Sequence, residues 1–136
     1  MGFFSRFVGG VNSREADEAR LSPVEEELRA RLCNMAESAE PVRYAMRWTG
    51  TVQCVGFRWS NQIIAQQRGL TGWVLNMEDG SVTMEIQGKP ALLVRHLDAL
   101  HAQYARFSYR IWLDEAEPID AVPDEEEFAV RHSEPY

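Results

Sequence analysis

The sequence predicts an α+β domain whose strands and helices follow one another in the order β-α-β-β-α-β. Three observations support this prediction. The chain of 136 residues is long enough for one domain with a hydrophobic core. Its composition, with 45% hydrophobic and 26% charged residues, is that of a folded globular protein. Segments in which apolar residues recur at every second position alternate with segments in which they recur at every third or fourth, the periods of strands and helices.

Residues 1–40 are predicted to be an N-terminal extension of a domain that spans residues 41–136. Apolar side chains are sparse in most of this extension. The segment Ser22-Pro23-Val24-Glu25 combines a capping residue, a proline in the first turn and a glutamate at the third helical position, which is typical of a helix start. Apolar residues then recur at helical spacing, at Val24, Leu28, Leu32 and Met35 or Ala36. A short amphipathic helix over residues 23–37 is therefore predicted.

The first strand and the first helix of the domain are predicted on either side of a short loop. Residues 42–49 alternate apolar and more polar side chains, the period of a half-buried strand, and Gly50 ends the strand. Residues 59–68 have apolar side chains at helical spacing and stop before Gly69, a residue that readily adopts the left-handed conformation at a helix end.

A hairpin is predicted over residues 71–88. Its strands are residues 73–77 and a segment that begins at Val82, where apolar and polar residues alternate again. The sequence Glu78-Asp79-Gly80-Ser81 lies between them, and the Asp-Gly pair favours a tight two-residue turn.

The remaining elements complete the predicted sandwich. Lys89-Pro90 opens the clearest amphipathic helix of the chain, with apolar positions at Leu93, Val94, Leu97, Leu100, His101 and Tyr104. Alternation from Tyr109 to Leu113 predicts a fourth strand, residues 115–127 an acidic loop, and residues 128–131 a short fifth strand. The whole order corresponds to the ferredoxin-like split βαβ fold, in which two helices cover one face of an antiparallel sheet.

Charge and composition exclude several function classes. The net charge of −7 disfavours nucleic acid as a partner, because a polyanion repels an acidic surface. No apolar run approaches the length of a membrane span, so no membrane association is expected. Cys33 and Cys54 are predicted to be reduced thiols in a cytoplasmic protein. His96 and His101 lie five residues apart and do not share a helix face, so no metal site is predicted.

The loop from Gly50 to Arg58 is the segment that indicates a function. It is flanked by glycines, it leads into a helix N-terminus, and it carries an arginine at the junction. The first N–H groups of a helix have no partner within the helix and lie at the positive end of its dipole, while a guanidinium binds two oxygens of a phosphate at once. The residue types therefore suit phosphate binding. A glycine turn that serves only the chain path, with a solvated arginine, is the alternative.

Two segments resemble the signatures of the acylphosphatase family. The sequence Gly50-Thr51-Val52-Gln53-Cys54-Val55-Gly56-Phe57-Arg58 is similar to the pattern G-x-V-Q-G-V-x-F-R. Gly72 to Asn76, followed by Asp79-Gly80-Ser81-Val82, resembles the second signature, G-x-V-x-N-x-x-D-G-S-V. The interval of 18 residues from Arg58 to Asn76 is also that of the family. The resemblance covers residues 42–132, and it implies the same ferredoxin-like fold.

The resemblance implies hydrolysis of small acyl phosphates by a monomer that uses neither a metal nor an organic cofactor. Carried over by residue, Arg58 holds the phosphate together with the backbone N–H groups of the loop residues Gln53, Cys54, Val55, Gly56 and Phe57. Asn76 holds the attacking water near the phosphorus. An asparagine at this strand end that only bonds the turn backbone is the alternative for Asn76.

One residue departs from the family pattern. Cys54 stands where the signature has its middle glycine. If that position needs a positive φ, its Cβ costs on the order of 1 kcal/mol and could tilt an N–H away from the phosphate. The competing hypothesis is therefore a non-catalytic acylphosphatase-like module that binds phosphate or a protein. An RNA-binding ferredoxin-like domain is a third, which the net charge disfavours.

Overall fold

The computed structural model describes residues 20–132 as a five-stranded sheet with helices packed on it. The elements in chain order are α1 (Pro23–Asn34), β1 (Val42–Gly50), α2 (Phe57–Gln67), β2 (Thr71–Asn76), β3 (Val82–Gly88), α3 (Pro90–Ala105), β4 (Ile111–Ile119) and β5 (Phe128–Arg131). The predicted order β-α-β-β-α-β is confirmed, with α1 before it and β5 after it. No helix in this part of the chain is both long enough and apolar enough to cross a membrane.

The sheet has the strand order β4-β1-β3-β2-β5. Strand β1 pairs antiparallel with both β3 and β4, and β2 pairs antiparallel with β3. Strand β5 adds to the outer edge of β2 in parallel. Because β1 and β2 are both antiparallel to β3, and β5 is parallel to β2, the carboxyl ends of β1, β2 and β5 lie at the same end of the sheet. The ferredoxin-like fold is confirmed, although the sheet is mixed and not wholly antiparallel as predicted, because β5 is parallel to β2.

One face of the sheet carries the core. Apolar side chains of β1 and β3 alternate inward and pack under α2 and α3, among them Trp48 and Met84, which are almost fully buried. Helix α3 contributes the predicted positions Leu93, Leu97, Leu100 and Tyr104 to this core. The register places Val74 of β2 opposite Met84, so Val74 and the residues two positions away from it face the helices.

Helix α1 packs against α3 and β4. Ser22 caps it as predicted, since its hydroxyl accepts a hydrogen bond from the Glu25 N–H at 3.0 Å. Leu28 and Leu32 are buried in the same core as the sheet. The Glu25 carboxylate is also buried, and it accepts hydrogen bonds from His101 and from Arg29 at 2.8 and 2.9 Å. The helix ends at Asn34, three residues before the predicted end.

The turn between β2 and β3 differs from the prediction. The N–H of Met77 donates to the Ser81 carbonyl at 2.9 Å, and the N–H of Gly80 donates to the Met77 carbonyl at 3.2 Å. Gly80 has φ +92°, whereas Asp79 is not in the left-handed region. The connection is therefore a three-residue loop that ends in a left-handed glycine, and the predicted two-residue turn is wrong.

Strand β4 also differs from the prediction. It begins at Ile111, because the chain from Ala105 to Tyr109 still closes the end of α3, and it continues to Ile119 through residues predicted as loop. Pro118 lies within it, opposite Tyr44. Proline is tolerated there because β4 is an edge strand, on which an N–H can be absent.

Candidate active site

The loop of residues 51–56, here called the β1–α2 loop, is anchored at both ends. At its start, the Thr51 N–H donates to the Arg110 carbonyl at 2.7 Å, and the side chain of Val52 is buried. At its end, Phe57 is buried between Trp48 and Tyr104, with ring centroids 5.6 and 5.5 Å away. The apolar residues at both ends thus fix the polar segment between them above the core.

The middle of the loop presents a run of unpaired backbone donors. None of the backbone N–H groups of residues 53–58 donates a hydrogen bond to any acceptor within residues 20–132. The run ends in the first turn of α2, where the positive end of the helix dipole lies. Successive N–H groups of this kind form an anion-binding concavity. This run of N–H groups is called the cradle below.

Two residues of the loop adopt left-handed backbone conformations. Gly56, at the N-cap of α2, has φ +73° and ψ +19°. Cys54 has φ +63°, so this position does require the positive φ that the sequence pattern suggested. The Cys54 side chain is exposed, as is that of Cys33, and both are free thiols. The Cβ at residue 54 therefore meets no packing obstacle, and its cost is the backbone strain alone.

Arg58 lies in the first turn of α2 and is half-buried. One terminal N–H of its guanidinium donates to the Arg131 carbonyl of β5 at 2.7 Å. Arg131 is opposite Leu75 in the register, and Leu75 precedes Asn76, so this bond holds Arg58 at the strand end that carries Asn76. A guanidinium has five N–H donors, so most of them remain for a ligand.

Asn76 is the last residue of β2 and is half-buried. It lies two positions after Val74, so the alternation of the strand places it on the face that carries α2. Its side-chain Oδ1 is buried and has no hydrogen-bond partner within residues 20–132. An unpaired amide oxygen here is costly unless a ligand or water binds it. Its amide makes no bond to the turn backbone in this part of the chain, which disfavours that alternative.

Gln53 makes that turn contact instead. Its side-chain Nε2 donates to the carbonyls of Met77 and Ser81 at 2.7 and 2.9 Å, which closes the turn from the side of the loop. The sequence analysis gave Gln53 only a backbone role. Its side chain therefore ties the cradle to the end of β2, where Asn76 lies.

Tyr104 reaches the loop from α3 and also contacts Ser60 of α2, whereas the sequence analysis placed Tyr104 only among the apolar positions of its helix. The Tyr104 hydroxyl lies 3.2 Å from the Val55 carbonyl and 2.9 Å from the Ser60 hydroxyl. Burial raises the pKa of Tyr104 above its usual value, the bond to Ser60 opposes this, and nearby Tyr109 adds to the rise. Tyr104 is thus a neutral hydroxyl at physiological pH, and it touches the loop through a single carbonyl.

The histidines lie apart from this site. His96 is buried and hydrogen-bonds Asn61 at 2.9 Å, and burial lowers its pKa to about 3, with Arg68 contributing further. His101 bonds Glu25. Among residues 20–132, no three side chains of the metal-binding types converge.

Comparison with known proteins identifies relatives over the part of the chain from β1 to β5. A sequence model described as Acylphosphatase matches residues 44–130. An acylphosphatase of Geobacillus kaustophilus is 40% identical over 83 residues, which cover 61% of this chain and 86% of that protein. A solved acylphosphatase from Coxiella burnetii aligns with a TM-score of 0.52 and 26% identity, over 67% of this chain and 93% of that one. One from Bacillus subtilis, at 24% identity and a TM-score of 0.54 over 66% and 98% of the two chains, shows the likeness of fold.

Proposed function

The chain belongs to the acylphosphatase family, and from this premise we propose which of its residues perform the hydrolysis of acyl phosphates. Acylphosphatases act on small molecules in which a carboxyl group is bonded to phosphate. In the proposed mechanism, the cradle and Arg58 bind the phosphoryl group, and Asn76 positions the water that attacks it.

The run of unpaired N–H groups beside Arg58 carries the proposal for phosphate binding. The phosphoryl oxygens carry negative charge, which the N–H groups of residues 53–58 and the positive end of α2 stabilise. Arg58 adds a permanent positive charge, and its planar donors suit two of these oxygens. Its bond to the Arg131 carbonyl fixes the guanidinium in advance, so little side-chain entropy is lost on binding.

Asn76 is proposed to orient the nucleophile. Its Oδ1 accepts a hydrogen bond from water, and the end of β2 holds that water beside the cradle. The water oxygen attacks phosphorus while the bond from phosphorus to the carboxyl oxygen breaks on the opposite side. The carboxylate leaves with the bonding electron pair, and an oxygen of the phosphoryl group takes the proton of the water. Because carboxylate is a good leaving group, positioning and charge stabilisation supply most of the catalysis.

The test compares two arginines of the same helix. We expect Arg58→Ala to lower kcat/KM for benzoyl phosphate by about 1000-fold, since loss of one preorganised donor to developing charge costs about 100- to 1000-fold and the positive charge is lost as well. Arg68→Ala is the matched control. Arg68 lies at the other end of α2 and donates to the Ile64 carbonyl at 3.2 Å, so its loss should change kcat/KM by less than about twofold.

Two outcomes would contradict the proposal. If Arg58→Ala and Arg68→Ala had equal kcat/KM values, and circular dichroism showed both variants to be folded, Arg58 would not be part of the phosphate site. No hydrolysis by the parent protein, together with hydrolysis by Cys54→Gly, would favour the alternative of a non-catalytic phosphate-binding module, because the backbone at residue 54 is strained.

A further inference from the structure

A chain of three hydrogen-bonding side chains runs under the β1–α2 loop. The Gln103 side-chain Nε2 lies 2.6 Å from the Ser60 Oγ, and the Ser60 Oγ lies 2.9 Å from the Tyr104 hydroxyl. The Tyr104 hydroxyl lies 3.2 Å from the Val55 carbonyl. Ser60 and Tyr104 are both buried, and the contact between their hydroxyls is shielded from water, while the contacts to Gln103 and Val55 are partly buried. The chain thus joins α3 and α2 to one peptide group of the loop.

The direction of this chain is determined by its two ends. The Val55 carbonyl can only accept a hydrogen bond, and the Gln103 Nε2 can only donate one. Each hydroxyl between them has one proton. All three contacts are satisfied together only if Gln103 donates to Ser60, Ser60 donates to Tyr104, and Tyr104 donates to Val55. The single proton of Tyr104 is therefore committed to the loop carbonyl.

The Val55 carbonyl fixes the orientation of the next N–H group. Residues 20–132 contain no cis peptide bond, so the carbonyl of Val55 and the N–H of Gly56 point in opposite directions across one planar peptide. With the carbonyl held toward α3 by Tyr104, the Gly56 N–H points away from α3. That N–H is one of the unpaired donors of the cradle.

We propose that Tyr104 is a positioning residue of the phosphate site, whose hydroxyl holds the Val55–Gly56 peptide so that the Gly56 N–H faces the phosphate. The inference rests on the proposed role of the cradle. If this peptide rotated by half a turn, it would place the Val55 carbonyl oxygen toward the anion, which it repels. Gly56 makes such a rotation easy, because a glycine accepts both left- and right-handed backbone conformations and nothing lies within 4 Å of its ideal Cβ position.

The ring and the hydroxyl of Tyr104 have separable roles. The ring packs against Phe57 with centroids 5.5 Å apart and belongs to the core. Phenylalanine keeps that packing and removes only the hydroxyl. Tyr44→Phe is the matched control. Tyr44 lies on β1 and lines the groove beside α1. It is also buried, but its hydroxyl makes no hydrogen bond within residues 20–132.

The experiment measures phosphate binding and hydrolysis separately. Inorganic phosphate is titrated into the ¹⁵N-labelled protein, and the Gly56 amide resonance is followed. We expect Tyr104→Phe to raise the Kd for phosphate and the KM for benzoyl phosphate by about tenfold, the effect of misaligning one donor out of several. The Gly56 resonance of Tyr104→Phe should differ from that of the parent protein before phosphate is added. Tyr44→Phe should match the parent protein in all three measurements.

Ser60→Ala provides a second variant with a smaller expected effect. It removes the group that donates to Tyr104 but leaves the Tyr104 proton on the Val55 carbonyl, so the Kd should rise by about two- to threefold.

Failure of this inference and failure of the proposed function give different results. Parent-like Kd, KM and Gly56 resonance in Tyr104→Phe would overturn the role of Tyr104, while Arg58 and the cradle would stand. Phosphate that leaves the resonances of residues 53–58 unchanged in the parent protein would overturn the cradle, and the role of Tyr104 with it.

Discussion

The β1–α2 loop and the β2–β3 turn lie at the same end of the sheet, but they differ in whether their backbone N–H groups are hydrogen-bonded. In the turn, Met77 and Gly80 use their N–H groups within the turn, and the Asp79 carboxylate accepts from both the N–H and the hydroxyl of Ser81 at 2.9 and 2.6 Å. In the loop, the N–H groups of residues 53–58 find no acceptor within residues 20–132.

This difference separates a structural connection from a binding one. A backbone donor without a partner costs free energy, so folded chains seldom leave several in succession unless solvent or a ligand pairs with them. The loop and the turn are joined by Gln53, which donates to two carbonyls of the turn. The turn therefore serves as a fixed support, and the loop holds its donors in place against it.

Within this comparison, the largest expected effect distinguishes Asn76 from Ser81, which lie at the two ends of the turn. Asn76→Ala should lower kcat for benzoyl phosphate by about 100-fold or more, because it removes the group that positions water. It should leave the free energy of unfolding nearly unchanged, since the Asn76 Oδ1 has no hydrogen bond to lose within residues 20–132. Steady-state kinetics and urea denaturation measure the two quantities.

Ser81→Ala should show the opposite result. Its hydroxyl donates to Asp79, so its loss should lower the free energy of unfolding by about 1 kcal/mol with kcat changed by less than about twofold. A large kcat effect in Ser81→Ala, or a large stability effect with normal kcat in Asn76→Ala, would contradict the separate roles of Asn76 in positioning water and of Ser81 in stabilising the turn.

As the pH is lowered, the hydrogen bonds that support the β1–α2 loop should lose their stabilising effect at a higher pH than those of the β2–β3 turn. His96 bonds Asn61, whose side chain donates to the Phe57 carbonyl at the start of α2. Burial lowers the pKa of His96 to about 3, from 6.5 when unfolded. Between these values only the unfolded chain binds the proton, so stability falls as the pH falls. The slope approaches about 1.4 kcal/mol per pH unit, which gives about 2.5 kcal/mol from pH 6 to pH 4.

The carboxylate of the turn titrates in a different range. Hydrogen bonds from the Ser81 hydroxyl and N–H, and then from Arg47, hold the pKa of Asp79 well below its usual value of 3.8. The contribution of the Asp79 carboxylate to stability is complete above pH 3.8 and is lost as the pH falls below that value. Denaturation at several pH values should show that His96→Gln flattens the profile between pH 6 and pH 4, and Asp79→Asn flattens it below pH 4. If the stability profiles of His96→Gln and Asp79→Asn overlapped, the assignment of the two pH ranges to these two residues would be contradicted.

The bond between loop and turn can be broken directly. Gln53→Ala removes two hydrogen bonds from Nε2, which should raise KM by about tenfold and lower the free energy of unfolding by about 1–2 kcal/mol. Gln87→Ala is the matched control. Gln87 lies near the end of β3, away from the site, and its side-chain Nε2 also donates to a loop carbonyl, that of Val122, at 3.0 Å. An unchanged KM in Gln53→Ala would show that the cradle does not depend on the turn.

The helices and strands of this fold were predictable from the sequence where a local pattern of apolar residues was enough to determine the element. The alternation in β1 and the apolar spacing in α3 depend on burial against a single core, and both predictions are confirmed. The extension of β4 through Pro118 was not predictable, because proline is acceptable only on an edge strand, and strand order is not visible locally. The turn at Gly80 was predicted as a turn but with the wrong length, since Asp-Gly occurs in both two- and three-residue connections.

The candidate site divides in the same way. The glycine-flanked loop and Arg58 follow from residue types at a helix start, whereas Asn76 follows only from the resemblance to the family signature, and the roles of all three stay predictions. The contacts of Gln53 and Tyr104 could not be predicted, because they join residues 24 to 49 positions apart through side chains that have no periodic pattern. The glutamine of the signature was the signal available for Gln53. Tyr104 looked like an ordinary core position of an amphipathic helix.

The smallest expected effect concerns Cys54, the residue at which the loop departs from its family pattern. A side chain in the left-handed region costs about 1 kcal/mol, and Cys54 already adopts that conformation with φ +63°. Cys54→Gly should therefore raise the free energy of unfolding by up to about 1 kcal/mol and change kcat by less than about twofold, because the N–H directions are already set. Cys33→Ser, at an exposed thiol in α1, controls for loss of a thiol. A large rise in kcat in Cys54→Gly would instead mean that the thiol side chain obstructs the cradle.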